Sequence, residues 1–453
     1  MTDTHQLLTD AATRAARYLD DIAQRPVRPD SAAVAALSAL DGPLPAQGRS
    51  PTGVLARLDT LGSPATMGMA GPRFFGFVIG GAMPATLAAN LLAGAWDQNA
   101  AYFSSSPGVA AFEAVALRWT LELLGLPAGS GGGFVTGATV ANMTALAAAR
   151  HAVLANVGWN VEAEGLIGAP PITVITGAEV HPSVTKSLGL IGLGRTRMHK
   201  VPVDDQGRMR VDLMPAITGP TIICAQVGNV NTGASDDVGA IVARVRGTGA
   251  WVHVDGAFGL WAAASPLLSH LVPGVADADS WATDFHKWLN VPYDSGIAIV
   301  RDPHALQAAM AITAEYLPQD RAQRNPADFT PELSRRARGV DVWAAMASLG
   351  RDGVVAMVER TCRHARRFAE GLRAAGHEVL NDVVLNQALV AFGDAARTER
   401  VIAALQAEGT CWAGITVWQG RTAMRISVSG WGTTAEDVEM SLEAMLRVAA
   451  ETP

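Results

Sequence analysis

Lysine is nearly absent. The chain carries 35 lysine and arginine residues, yet only Lys186, Lys200 and Lys287 are lysines. Arginine serves wherever a surface cation is needed, so each lysine asks for an explanation. Cysteine is scarce too. Cys224, Cys362 and Cys411 are too few and too widely spaced for a disulfide framework or a metal cluster, so a reducing, cytoplasmic setting is expected. Charged residues are only 17% of the chain, the net charge is −7, and no basic run occurs. That argues against nucleic acid or an anionic membrane as a partner. The opening stretch MTDTHQLLTDAATRAARYLDD mixes both charges and lacks an apolar centre, so it does not read as a signal peptide. Residues 74–96 and 125–149 are uncharged and reach the roughly 20 residues of a membrane span. Pro84 and Asn90 interrupt the first, and Gly129, Gly131, Gly132, Gly133 and Gly137 interrupt the second. Both read as buried loop–helix segments. The chain is 49% hydrophobic over 453 residues, enough for two or three packed subdomains.

What is present centres on residues 251–290. WVHVD reads as a strand closing on Asp255, and Gly256 follows where the backbone must turn. DFHKWLN then sets His286 and Lys287 between Phe285 and Trp288. Apolar neighbours disfavour an ammonium ion, so this amine is expected to lose its proton readily. A neutral amine forms a Schiff base with an aldehyde. A carboxylate at a strand end and a reactive lysine shortly after it match the needs of pyridoxal 5'-phosphate, which takes the lysine on its aldehyde and the carboxylate on its ring nitrogen. Lys200, in RTRMHKVPVDD, reads as a solvated loop cation. Lys186, in HPSVTKSLGL, lies near a helix start and is either a surface residue or a secondary ligand.

HVDGAFG followed by DFHKWLNVPYDSG resembles the pyridoxal-phosphate-dependent group II amino acid decarboxylases, of the aspartate aminotransferase-like fold type I superfamily. The resemblance runs from about Pro72 to about Asp437. It implies an α/β fold: a large domain with a mostly parallel seven-stranded sheet flanked by helices, an N-terminal helical arm and a C-terminal α+β subdomain. The expected divisions are 1–64 for the arm, 65–310 for the cofactor-binding domain, 311–340 for a catalytic-loop region and 341–453 for the small domain. It also implies a homodimer, an amino acid substrate and no metal. Catalysis would fall to Lys287, His181 and Asp255. The cofactor would be held by Gly137, Ala138, Thr139, His181, Asn229, Asp255, Ala257, Asp284, His286 and Lys287. The substrate would meet Phe77, Tyr102, Phe103 and Arg425, a set that favours an apolar or aromatic amino acid.

The rest of the chain can be read beside that resemblance. Helical periodicity marks residues 5–24 and 107–126, with connection expected over 25–52. A short strand around Phe134 and Val135 should end in Thr136-Gly137-Ala138-Thr139, with a helix from about Val140. Free N–H groups at such a helix start suit a phosphate. Val140 stands where the family usually has glutamate. His181 is either a helix cap or, by resemblance, the histidine that stacks on the cofactor ring. Strands are expected at 172–177 and 221–227, with a helix at 237–249, and alternating strands and helices over 130–300 argue for a mostly parallel sheet. Asn229 and Thr232, in GNVNTGASDD, follow a strand end, where ligands of open α/β sheets sit. Phe77, Val78, Tyr102 and Phe103 are either pocket walls or ordinary core aromatics and aliphatics. Arg425 either binds a substrate carboxylate or forms a salt bridge. C-terminal elements are expected at 351–375, near 378 and 388, at 398–408 and at 422–429. The family's mobile loop often carries a tyrosine that returns a proton to carbon after decarboxylation. No tyrosine lies between Leu317 and Arg336, and Tyr316 precedes that stretch. This departure keeps transamination, aldol-type cleavage and decarboxylation coupled to aldehyde formation in view, along with a non-catalytic homologue.

Overall fold

The computed structural model describes residues 3–312 and 323–453, so Tyr316 and part of the loop region lie outside the described residues. The chain divides into two compact units. One comprises Ala82–Ala365 with Asn381–Ala388, and the other Met1–Gly81, Arg366–Leu380 and Leu389–Pro453.

The larger unit is built on seven strands: β1 (Gly131–Val135), β2 (Thr173–Gly177), β3 (Met198–Val201), β4 (Thr221–Gln226), β5 (Trp251–Asp255), β6 (Ser280–Asp284) and β7 (Gly296–Val300), in the order β1-β7-β6-β5-β4-β2-β3. The pairs from β3 to β6 are parallel, and β7 runs antiparallel to both β6 and β1. Strands β1, β4, β5, β6 and β7 are buried along their whole length, as in a sheet covered on both faces. Strands β4 and β7 accordingly read as nearly continuous apolar runs, whereas β5 and β6 also carry buried polar side chains. Lys200 is exposed, but on the edge strand β3 and not in a loop. A charged side chain there discourages further strand pairing. Lys186 is exposed on the helix Pro182–Leu190.

Strand β1 begins earlier than its sequence suggests. Glycine weakens strands, so GGG reads as loop. Here the three glycines are strand residues because neighbours press on them. A Cβ on Gly133 would lie 2.0 Å from the Phe329 carbonyl oxygen, and one on Gly132 would lie 2.6 Å from Leu117 Cδ1. The helix Ala138–Ala155 follows. It carries Ala141, Ala145, Ala148 and Ala149, all fully buried, into a core shared with Val135, Val174, Ile222, Trp251, Ala282 and Ala298. Small side chains let this helix lie close to the sheet, which brings its N-terminus to the ends of the strands.

The smaller unit holds a four-stranded sheet ordered β10-β11-β9-β8, from β8 (Glu378–Val379), β9 (Gln387–Ala391), β10 (Gly414–Trp418) and β11 (Arg421–Ser427), with helices Ala395–Glu408 and Ala435–Glu451. Its N-terminal helix spans Thr4–Asp21, capped by the Asp3 carboxylate. Residues 25–52 are less of a plain connection than expected, since a helix covers Ser31–Ala36 and a 3-10 turn covers Leu37–Leu40. Both are too short to show periodicity. The helix expected at 351–375 belongs to a longer run, Arg338–Ala374, broken at Gly350 where φ is +62°. Among the described residues no helix is long and apolar enough to cross a membrane.

Candidate active site

Lys287 lies in the connection between the antiparallel strands β6 and β7. The turn is closed at its base, where Phe285 N–H and His286 N–H both donate to the Ser295 carbonyl, at 3.1 and 3.2 Å. Aromatic packing holds it from below. Phe285 is fully buried and stacks on Phe134 with centroids 5.6 Å apart, and Trp288 Nε1–H donates to Thr361 Oγ1 at 2.7 Å. The apolar frame is therefore present, but the amine does not face it alone. Lys287 Nζ lies 3.0 Å from Asp284 Oδ2, in an ion pair whose carboxylate is almost wholly buried.

Asp284 also reaches the start of the Ala138–Ala155 helix, where its Oδ1 accepts the Ala138 N–H at 2.6 Å. The first helical bond is Ala141 N–H to the Gly137 carbonyl, so the Thr139 and Val140 N–H groups precede it. Gly137 is required here by space, because a Cβ would sit 2.9 Å from His286 Cε1. His286 accepts the Ser295 N–H on Nδ1 at 3.2 Å, which leaves the proton of its neutral form on Nε2, 3.6 Å from Asp284 Oδ1. Burial pushes its pKa below the usual imidazole value, against the pull of Asp284. Its ring stacks on Tyr293 at 4.3 Å.

Asp255 ends β5, paired in register with Gln226 of β4 and Ala282 of β6. Its Oδ1 accepts the Ala257 N–H at 3.2 Å, and its Oδ2 accepts from Asn142 Nδ2 at 3.2 Å and Ser183 Oγ at 3.3 Å. A carboxylate offers about four acceptor sites. Three are filled, and the remaining one is on Oδ1. His181 caps the Pro182–Leu190 helix, with Nδ1 accepting the Ser183 N–H at 3.2 Å and lying 2.8 Å from Ser183 Oγ. Ser183 thus touches both His181 and Asp255.

Other candidates are placed differently. Asn229 has its amide committed within the protein, donating to Glu179 Oε2 beyond β2 at 3.0 Å and accepting from Asn231 and Thr232 N–H of its own loop. Thr232 Oγ1 donates to the Gln206 carbonyl at 2.8 Å. Tyr102 and Phe103 are half-buried, and Phe103 N–H donates to Asn325 Oδ1 at 3.1 Å. Phe77 and Arg425 belong to the smaller unit. Phe77 is exposed and stacks on Trp412, while Arg425 has a buried Nε without a hydrogen-bond partner and forms no ion pair among the described residues. Asn142, Ser183, His253 and Ser280 were not singled out from sequence. One signal was available: His253 and Asp255 are two apart on a strand and so share a face.

The arrangement fits pyridoxal phosphate. It presents an amine, a buried carboxylate with one acceptor site left, and a helix N-terminus that admits no side chain at Gly137. No group of three metal-ligating side chains occurs among the described residues.

The model of the pyridoxal-dependent decarboxylase conserved domain matches residues 60–393. Tryptophan decarboxylase 1 of Oryza sativa subsp. japonica is 28% identical over 422 residues, covering 84% of this chain and 81% of the relative. L-2,4-diaminobutyrate decarboxylase of Rhizobium meliloti is 29% identical over 433 residues, covering 90% and 84%. The solved structure of Oryza sativa TDC with PLP and tryptamine superimposes with a TM-score of 0.90 at 22% identity, covering 99% of this chain and 98% of that one.

Proposed function

The chain belongs to the pyridoxal-dependent decarboxylase family, and on that premise we propose that it removes carbon dioxide from an L-amino acid, an apolar or aromatic one for preference. The observation that carries this reading is the pairing of the Lys287 amine with Asp284 beside the helix start that Asp284 also reaches, with Asp255 at the C-terminal end of the neighbouring central strand β5. Pyridoxal phosphate, when bound, supplies the electron sink for the bond that breaks at the substrate's α-carbon. Lys287 Nζ would hold the cofactor aldehyde and could carry a proton afterwards. Asp255 Oδ1 would face the ring nitrogen. The Thr139 and Val140 N–H groups would receive the phosphate. His181 would lie against the ring. Tyr102 and Phe103 favour an apolar side chain, in keeping with the tryptophan-directed name of the rice relative.

The test begins with a visible absorbance spectrum of the purified protein with added pyridoxal phosphate, before and after borohydride. The wild type is expected to show a band that reduction removes and that Lys287→Ala lacks. An absent band in the wild type overturns the reading. A panel of amino acids is then assayed for carbon dioxide, amine, aldehyde and keto acid. Amine with carbon dioxide supports decarboxylation. Aldehyde supports the second reading, which the tyrosine-free stretch between Leu317 and Arg336 favours. Turnover of acidic amino acids alone would overturn the substrate preference. We further propose that the enzyme is a homodimer working in the cytoplasm, a setting consistent with its three buried, unbridged cysteines.

A further inference from the structure

Behind Asp255 lies a second layer of polar side chains that the proposed reaction does not use. Trp251, His253 and Asp255 alternate along β5 on the face that meets the Ala138–Ala155 helix. Trp251 Nε1 is 2.8 Å from Ser280 Oγ, Ser280 Oγ is 2.9 Å from His253 Nδ1, and His253 Nε2 is 2.8 Å from Asn142 Oδ1. Asn142 Nδ2 then reaches Asp255 Oδ2 at 3.2 Å and Ser183 Oγ at 3.3 Å. Asn142, His253 and Ser280 are fully buried, and Trp251 and Asp255 nearly so.

The direction of every bond follows from what each group is able to donate. An indole N–H only donates, so Trp251 gives its proton to Ser280 Oγ. A carboxylate only accepts, so the Asn142 amide nitrogen faces Asp255 and its oxygen faces His253. That oxygen requires a proton on His253 Nε2. Burial pushes the His253 pKa down to about 4, so the ring carries that proton alone and Nδ1 is bare. The Ser280 hydroxyl must therefore donate to Nδ1. All the donors point one way, from Trp251 through Ser280, His253 and Asn142 to Asp255.

We propose that His253 is a positioning residue, which with Ser280 and Trp251 behind it locks the Asn142 amide so that Asp255 presents Oδ1 to the ring nitrogen of the cofactor. The proposal rests on the pyridoxal phosphate reading above. Turning the Asn142 amide over would aim its oxygen at the carboxylate and its NH2 at a ring nitrogen that already bears hydrogen, two buried mismatches at once. Escaping the second mismatch would require the His253 proton to move to Nδ1, which would deprive the Ser280 hydroxyl of its acceptor.

The test measures dissociation constants for two ligands by absorbance and fluorescence titration: pyridoxal phosphate, and its carbocyclic analogue with C–H in place of the ring nitrogen. His253→Phe is expected to weaken pyridoxal phosphate about tenfold while leaving the analogue unchanged, because only the first is read by Asp255. His253→Gln, which restores a donor toward Asn142, should recover much of the loss. If His253→Phe does not fold, Ser280→Ala removes one oxygen atom, frees the imidazole tautomer and should give the same selective loss in smaller measure. Equal weakening of both ligands, or no weakening of either, overturns the proposal. A wild type that binds neither ligand overturns the underlying reading as well, and that outcome is visible before any variant is made.

Discussion

Single side chains decide how this protein responds to acid. His253 is neutral and fully buried in the folded chain, with its pKa pushed down to about 4, whereas an unfolded histidine titrates near 6.5. The unfolded state therefore binds more protons between those values, and stability falls as pH drops from 6.5 to 4. This residue alone accounts for about 3 kcal/mol of that fall. Asp236 works in the opposite sense. Burial raises it to about 6, so its folded form holds a proton that the unfolded form gives up, and acidification relieves it. Urea midpoints at pH 7 and pH 4.5 should thus drop further for the wild type than for His253→Gln, and an equal drop would exclude the buried neutral histidine. At the same scale, Asp255→Asn keeps the shape and replaces the carboxylate proposed to face the ring nitrogen. We expect activity to fall at least about a hundredfold with little change in melting temperature, measured by turnover and by calorimetry.

Elements are held by contacts that the sequence states only in part. Glu113, with its side chain almost fully buried on the Pro107–Leu123 helix, accepts from Arg324 Nη1 at 3.2 Å and Arg335 Nη1 at 2.7 Å, and Arg335 Nη2 also donates to the Phe134 carbonyl at 2.6 Å. This cluster ties β1 to the segments that follow residue 322. Glu113→Gln leaves two guanidinium groups without their counter-ion and should cost about 3–5 kcal/mol by urea denaturation. Gly133→Ala pushes a methyl group into the Phe329 carbonyl and should cost about 3 kcal/mol by the same measurement. Strands β2, β4 and β5 were legible because strand-forming residues such as Val, Ile and Trp are concentrated in them. Asp255, Asp284 and Lys287 were legible because their chemistry constrains residue type at one place in the chain. The three glycines of β1 were not, since their reason lies in Leu117 and Phe329. Asn142, His253 and Ser280 were not, since each comes from a different element and they meet only once the helix lies on the sheet. The frame around Lys287 was half legible: Phe285 and Trp288 show in sequence, whereas the Asp284 contact depends on the turn.

For the whole molecule, the sequence organisation and the spatial one differ. The smaller unit gathers Met1–Gly81 with two stretches from beyond Arg366, so residues at opposite ends of the chain share one core. Arg73, for example, bonds Asp437 at 3.3 Å and the Thr410 carbonyl at 2.8 Å. Such long-range closure carries a loop-entropy cost that is met only when both ends are present. Removal of residues 1–64 should therefore lower the melting temperature of the remainder as well as alter assembly. Gel filtration of the full chain is expected to give a dimer mass, and a fully active monomer would defeat that expectation.

The hairpin that carries Lys287 has one more consequence. Because its two legs are strands of one sheet, bound to each other at Asp284 and Gly296 and again at Ser295, the amine would stay on a short leash in the proposed reaction. Its local concentration remains far above any that a dissolved amine reaches, and its return needs no search through solution. A free alkylamine added to Lys287→Ala should restore turnover only weakly, with a rate that climbs linearly with amine and shows no plateau. In the proposed reaction the sheet would thus act as a store of reagent as well as a scaffold.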